Sequence, residues 1–228
     1  MRRTGAALCL AALIAGTAPL AQTQCTEDGM IVFDGSGSMA EMGYNLFEEP
    51  RIFEARRAMN QAIPPIAQSR RLGLFVYGPG GSDACSGLDL RFPPKADAAP
   101  DILGAVSLLQ PAGETPLTEA VAQAAKVLET TSGGGTVVLV TDGKETCGGQ
   151  TCQLAATLAD GAVTVHVIGF KVRGAFFAWS DQADASYRGV DTAARCLADQ
   201  TEGLYVSAET VEELVAALHR TLGCQVLF

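Results

Sequence analysis

The strongest constraint in this sequence is an alternation. Short apolar runs, nearly free of polar residues, are separated by stretches patterned as helices. Met30-Ile31-Val32-Phe33, Leu72 to Tyr77, Thr136 to Val140 and Val163 to Phe170 read as strands buried on both faces. Pro50 to Ile63 reads as a helix, with Ile52, Ala55, Met59 and Ile63 on one stripe and Pro64-Pro65 expected to stop it. Pro100 to Leu109, Leu117 to Thr130, Cys152 to Leu158 and Asp191 to Ala198 are further helices. Leu204-Tyr205-Val206 is a last strand, and Thr210-Val211-Glu212-Glu213 is a capping-box pattern opening a final helix to Leu222. The turn Gly78-Pro79-Gly80-Gly81 joins Leu72–Tyr77 to Leu88–Phe92 as a hairpin. The alternation predicts an α/β fold: a doubly wound, mostly parallel sheet with one antiparallel edge strand and helices on both faces.

Residues 1–21 stand apart. Arg2 and Arg3 precede the apolar run Gly5 to Ala15, and small residues follow, with Ala18 and Ala21 as cleavage points. This is the layout of a secretory signal, and Thr17 and Pro19 end the run too early for a membrane span. The expectation is a signal peptide over 1–21, one domain over 22–228, and an exported, periplasmic or secreted product with no membrane span in the mature chain. The formal charge is -9, and removing two arginines with the signal takes it to -11. With that acidity and no Lys/Arg cluster, nucleic acid is not an expected partner. Two histidines leave little room for chemistry built on several imidazoles.

Export changes the meaning of the cysteines. Cys9 leaves with the signal, and Cys25, Cys85, Cys147, Cys152, Cys196 and Cys224 remain. An even number in an oxidising compartment reads as disulfides, and the CxxC pairs or His partners of a soft-metal site are lacking. A local Cys147–Cys152 bridge across a Gly-containing loop is expected. Cys25–Cys224 is a plausible staple, because the last helix should end near the start of the first strand.

In open α/β sheets, ligands bind beyond the carboxyl ends of the strands. The first strand ends in Asp34-Gly35-Ser36-Gly37-Ser38, whose alternating oxygen side chains can project to one side. The fourth ends at Asp142, which should lie beside Asp34 if the two strands are neighbours. Thr115, just before a helix, adds a hydroxyl. These are hard oxygen donors, suited to Mg²⁺, Mn²⁺ or Ca²⁺.

The motif Asp34-Gly-Ser-Gly-Ser38, the separate Thr115, and Thr141-Asp142-Gly143 after a second strand resemble the von Willebrand factor type A (vWA) domain over about residues 28–223. The resemblance implies a Rossmann-like vWA fold and a metal-ion-dependent adhesion site. Ser36, Ser38 and Thr115 would be direct ligands, and Asp34 and Asp142 would act mostly through water. It further implies a protein partner that supplies an Asp or Glu carboxylate to the cation, and no catalysis.

Three other readings compete. A haloacid-dehalogenase-type phosphohydrolase would want a second Asp where Ser36 stands. A serine hydrolase elbow is out of phase at Gly35-Ser36-Gly37-Ser38, with His166 inside a strand and His219 on the last helix. A disulfide-stapled structural module with an idle metal site is the third. The connection 171–190 carries Phe176, Phe177 and Trp179, either a binding rim beside the metal or a satellite core.

Overall fold

A computed structural model of the protein describes residues 25–42, 49–172 and 194–224. The strands are β1 (Gly29–Asp34), β2 (Leu72–Tyr77), β3 (Leu88–Lys95), β4 (Gly135–Thr141), β5 (Val163–Phe170) and β6 (Tyr205–Ala208). The helices are α1 (Arg51–Ala67), α2 (Ala99–Leu108), α3 (Leu117–Ser132), α4 (Thr151–Leu158), α5 (194–200) and α6 (Val211–Leu222). A short 3₁₀ turn, Gly37–Ala40, follows β1. The strand order is β3-β2-β1-β4-β5-β6, with only β3 antiparallel to its neighbour.

The two-residue period of a strand explains the two cores. In β1, Ile31 and Phe33 face one side and pack with α1, α2 and α6. Met30 and Val32 face the other and pack with α3, α4 and α5. Every residue of β1, β2 and β4 is buried, which is why those runs lack polar alternation.

Several local features depart from expectation. Helix α1 runs through Pro64 and Pro65 to Ala67 instead of stopping. The two carbonyls that lose their donors belong to Asn60 and Gln61, both on the exposed side of the helix, while buried Ile66 and Ala67 hold the last turn to the core. Strand β3 continues through Pro93-Pro94, which an edge strand tolerates because its outer side needs no ladder donors. The Thr210 hydroxyl caps α6 by accepting from Glu213 N–H, as the capping-box pattern predicts.

The cysteine pairing corrects one expectation. Cys147 bonds Cys85, and Cys152 bonds Cys196; the local Cys147–Cys152 bridge does not form. Cys152 sits in the first turn of α4 and reaches α5, whereas Cys147 lies in the preceding loop beside the β2–β3 connection. Cys25–Cys224 is present and ties the chain before β1 to the end of α6. Residues 1–21, Phe176, Phe177 and Trp179 lie outside the described residues, as does the start of the helix expected at Asp191. Among the described residues no helix is long and apolar enough to cross a membrane.

Candidate metal centre

The strand order reverses between β1 and β4, so their carboxyl ends open a crevice at the point where such sheets take ligands. Asp34 ends β1 and Asp142 directly follows β4, which places two carboxylates there. The floor is built of close backbone contacts. Gly78 has φ +107°, and a Cβ on it would stand 2.5 Å from Ser36 N. Gly113 has φ +77°, and a Cβ there would meet Gly78 O at 2.2 Å. Glycine is the residue that reaches both positions without strain, and it lets the Gly35–Ser38 turn sit down on the loops after β2 and before α3.

Asp34 is fully buried and organises the turn. One oxygen accepts from Ser36 N–H at 2.8 Å and from the Ser36 hydroxyl at 2.6 Å. The other accepts from the Thr141 hydroxyl at 2.8 Å and from Asp142 N–H at 3.3 Å. Tyr77, also fully buried, donates to Thr141 Oγ1 at 3.0 Å. Burial first, and then the Asp34 charge, push the Tyr77 phenol well above its ordinary range, so it remains a neutral donor. The Ser38 hydroxyl donates to Asp142 Oδ1 at 2.7 Å and lies 3.0 Å from Ser36 Oγ. Both serine protons therefore go to carboxylates, and the hydroxyl lone pairs are left for another ligand.

Thr115 reaches the same place by a different route. Capping of α3 falls instead to Glu145, whose Oε2 accepts from Thr118 N–H at 2.8 Å. Its Oε1 accepts from Cys147 N–H, and the Thr146 hydroxyl accepts from Thr115 N–H at 2.9 Å. Among the described residues the Thr115 hydroxyl makes no hydrogen bond. A Cβ added at Gly143 would stand 3.8 Å from Ser38 Oγ and 4.0 Å from Thr115 Oγ1, so both hydroxyls lie close to Gly143. The sequence motif contained no hint of Glu145 or Thr146, because their role appears only once the loop after β4 folds against the start of α3.

Arg51, the first residue of α1, is the other group the sequence did not single out. Its Nη1 lies 3.1 Å from Asp142 Oδ2, 3.0 Å from Ser38 O and 3.4 Å from Glu41 Oε2. Its side chain is 11% exposed and that of Asp142 is 0% exposed. Burial, with the nearby Asp34 charge second, raises the Asp142 carboxyl to about 7, against the lowering pull of Ser38 and Arg51. One turn along α1, Glu54 forms a buried ion pair with Lys171 at 2.9 Å, beyond the end of β5. His166, by contrast, is structural: its Nδ1 accepts from Leu204 N–H, and burial lowers its pKa to about 4.

The donor set fits a hard divalent cation. Among the described residues no three His, Cys, Asp or Glu side chains cluster; the oxygens gathered here are those of two carboxylates and the serine hydroxyls bonded to them. Adjacent oxygens around octahedral Mg²⁺, at ~2.1 Å from the ion, are ~3.0 Å apart. Ser36 Oγ and Ser38 Oγ have that separation.

A doubly wound α/β domain with carboxylates and hydroxyls converging at its switch point defines the class. More narrowly, the chain belongs to the von Willebrand factor type A domain family, whose sequence model matches residues 30–145, half of the chain. It is similar to the uncharacterized protein YwmD of Bacillus subtilis (strain 168), at 29% identity over 178 residues, covering 71% of this chain and 76% of that protein. It resembles the conserved hypothetical protein BatB from Bacteroides thetaiotaomicron with TM-score 0.61 and 16% identity, over 87% of this chain and 100% of that one. Proximal thread matrix protein 1 from the mussel byssus, with a zinc-occupied MIDAS motif, matches with TM-score 0.57 and 16% identity, over 89% of this chain and 46% of that one. At these identities the structural likenesses speak for the fold.

Proposed function

We propose that this chain is an exported adhesion or interaction module that binds a protein partner through a divalent cation, Mg²⁺ or alternatively Mn²⁺ or Ca²⁺. Ser36, Ser38 and Thr115 are the direct ligands, and Asp34 and Asp142 act from the second layer. The carrying observation is the pair of serine hydroxyls, which give their protons to Asp34 and Asp142 and keep their lone pairs on one side. When bound, the cation offers an open coordination position to a carboxylate. Neutral hydroxyls leave most of its charge unquenched, so a partner's Asp or Glu is attracted even to an acidic protein, although the long-range field of a net charge of -11, the full-chain -9 less the two arginines of the signal, slows the approach. Residues 1–21 act as the export signal, and the three disulfides fit an oxidising compartment, periplasmic or secreted.

The chain has no enzymatic role in this reading. Where a haloacid-dehalogenase-type phosphatase needs its second Asp, Ser36 has its proton on Asp34. Calorimetric titration of the wild type with Mg²⁺, Mn²⁺, Ca²⁺ and Zn²⁺, beside Asp34→Ala, tests the metal. Capture of partners with and without chelator then tests the adhesion. A folded wild type that takes up no divalent ion at millimolar concentration ends the proposal.

A further inference from the structure

The geometry points to Arg51 as a resident counter-charge that weakens the grip of the metal centre on its cation and sharpens the pull of the bound cation on a partner's carboxylate. This rests on the metal-dependent reading above. With both ionised, the two carboxylates of the centre, Asp34 and Asp142, carry two negative charges, which one divalent ion would cancel. Arg51 is 9% exposed and shares Asp142: Ser38 takes Oδ1 and Arg51 takes Oδ2. With Arg51 counted, the centre has one net negative charge, and loading a divalent ion leaves one net positive charge. Glu41, also on Arg51, is 70% exposed and therefore screened, so it offsets little of this.

Hydrogen bonds from Nη1 to Asp142 Oδ2, Ser38 O and Glu41 Oε2 hold one end of the Arg51 guanidinium, but not its Nε. Its Nε is buried and, among the described residues, has no acceptor. A guanidinium left partly unsatisfied is held where it is by the negative charge beside it. The two consequences are opposite in sign. The positive charge repels an arriving cation and weakens its binding. It also leaves the loaded centre net positive, which favours an anionic ligand in the open position. Arg51 further fixes the rotamer of Asp142, so Oδ1 stays on the hydroxyl side. It is thus a positioning residue that tunes affinity and does not itself ligate.

Mn²⁺ binding to the mature exported protein, followed by electron paramagnetic resonance in anaerobic buffer at pH 8.5 so that Asp142 is ionised with or without Arg51, tests this with Arg51→Gln and Arg51→Lys. Arg51→Gln removes the charge and should tighten Mn²⁺ by on the order of tenfold. Acetate should then displace inner-sphere water from its bound Mn²⁺, read by water-proton relaxivity, only at severalfold higher concentration than in the wild type. Arg51→Lys keeps the charge and should stay within about threefold of wild type in Mn²⁺ affinity. Equal or weaker Mn²⁺ binding by Arg51→Gln overturns the inference, as does an Arg51→Lys variant that tightens Mn²⁺ as Arg51→Gln does. If Arg51→Gln does not fold, the wild type still decides: saturating Mg²⁺ should shift the guanidinium Nε–H resonance of Arg51, and an unmoved resonance overturns the inference. Absence of Mn²⁺ binding in every variant would instead remove the metal reading on which this rests.

Discussion

Ser38 and Asp142 are 104 positions apart in the sequence, yet the Ser38 hydroxyl donates to Asp142 Oδ1 at 2.7 Å. The parallel pairing of β1 with β4 brings them together, since Phe33 lies opposite Val140 and the next residues leave the sheet side by side. The site is therefore only as good as that register. Asp34 holds it by accepting from both strand ends, and its removal should be felt without any metal. Asp34→Ala leaves the Thr141 hydroxyl and the Ser36 amide without their acceptor in a buried place. The expected loss is about 2–4 kcal/mol of stability in chelator, measured by urea denaturation, together with loss of cation binding by calorimetry. Full retention of stability would show that the turn is held by its glycine contacts alone.

The Asp142 carboxyl, raised to about 7 by burial and then by Asp34, makes stability and metal binding depend on pH in opposite ways. An unfolded Asp titrates near 3.9. Between about 4 and 7 the folded chain therefore holds a proton that the unfolded chain has lost. The contribution of this group to stability is present at low pH, falls as pH rises through that window, and is level above it. A divalent cation needs the carboxylate, so its affinity should rise over the same window and flatten above pH 8. The check is a set of thermal melts from pH 5 to 8 with chelator or 10 mM Mg²⁺, for wild type and Asp142→Asn. The wild type should show a Mg²⁺-induced rise in Tm that grows with pH, and Asp142→Asn should show none. A rise in Tm that is the same at pH 5 and pH 8 would contradict the assignment.

The sheet class and the oxygen-rich turn at the end of β1 are legible in the sequence because each is carried by contiguous residues. Apolar runs end in Asp, and Asp34 to Ser38 is a single turn. The features that were not legible depend on distant packing. Pro64-Pro65 reads as a stop, yet burial of Ile66 and Ala67 outweighs two lost hydrogen bonds. Cys147 and Cys152 read as a pair because they are near in sequence, yet α4 begins between them and turns them to different neighbours. Arg51 looks like any first-turn residue until α1 is placed against the end of β4.

The bridge Cys25–Cys224 links positions 199 apart in sequence and joins the lead-in to β1 with the end of α6. Arg70 reinforces the same corner, donating to Glu27 O and Leu222 O at 3.1 Å each. Helix α6 is thus held at the metal-distal end, and cation binding should displace it little. Pulsed spin-label distances between α6 and β2, with and without Mn²⁺-free Mg²⁺ loading, should change by less than about 2 Å, far below a one-turn shift of ~5.4 Å. Cys25→Ser/Cys224→Ser should fold with a loss of roughly 2–5 kcal/mol. A shift of a full helical turn in the intact protein would show that the staple does not restrain α6.

Glu145 binds the first turn of α3 while its neighbour Thr146 binds Thr115, and that makes Glu145 a sharp test of how the threonine is placed beside the candidate metal centre. It caps α3 through Thr118 N–H and braces Cys147 N–H, while its neighbour Thr146 holds the Thr115 amide. Glu145→Ala should cost about 1 kcal/mol of stability, the usual price of a lost cap, and weaken Mg²⁺ severalfold by loosening Thr115. Glu145→Gln keeps an acceptor for one of the two amides and should restore most of the stability. Thr115→Val removes the ligand oxygen itself, so it should weaken Mg²⁺ strongly with little change in stability. If Glu145→Ala lowers stability but leaves Mg²⁺ affinity at the wild-type value, the loop after β4 supports the helix alone and the placement of Thr115 comes from elsewhere.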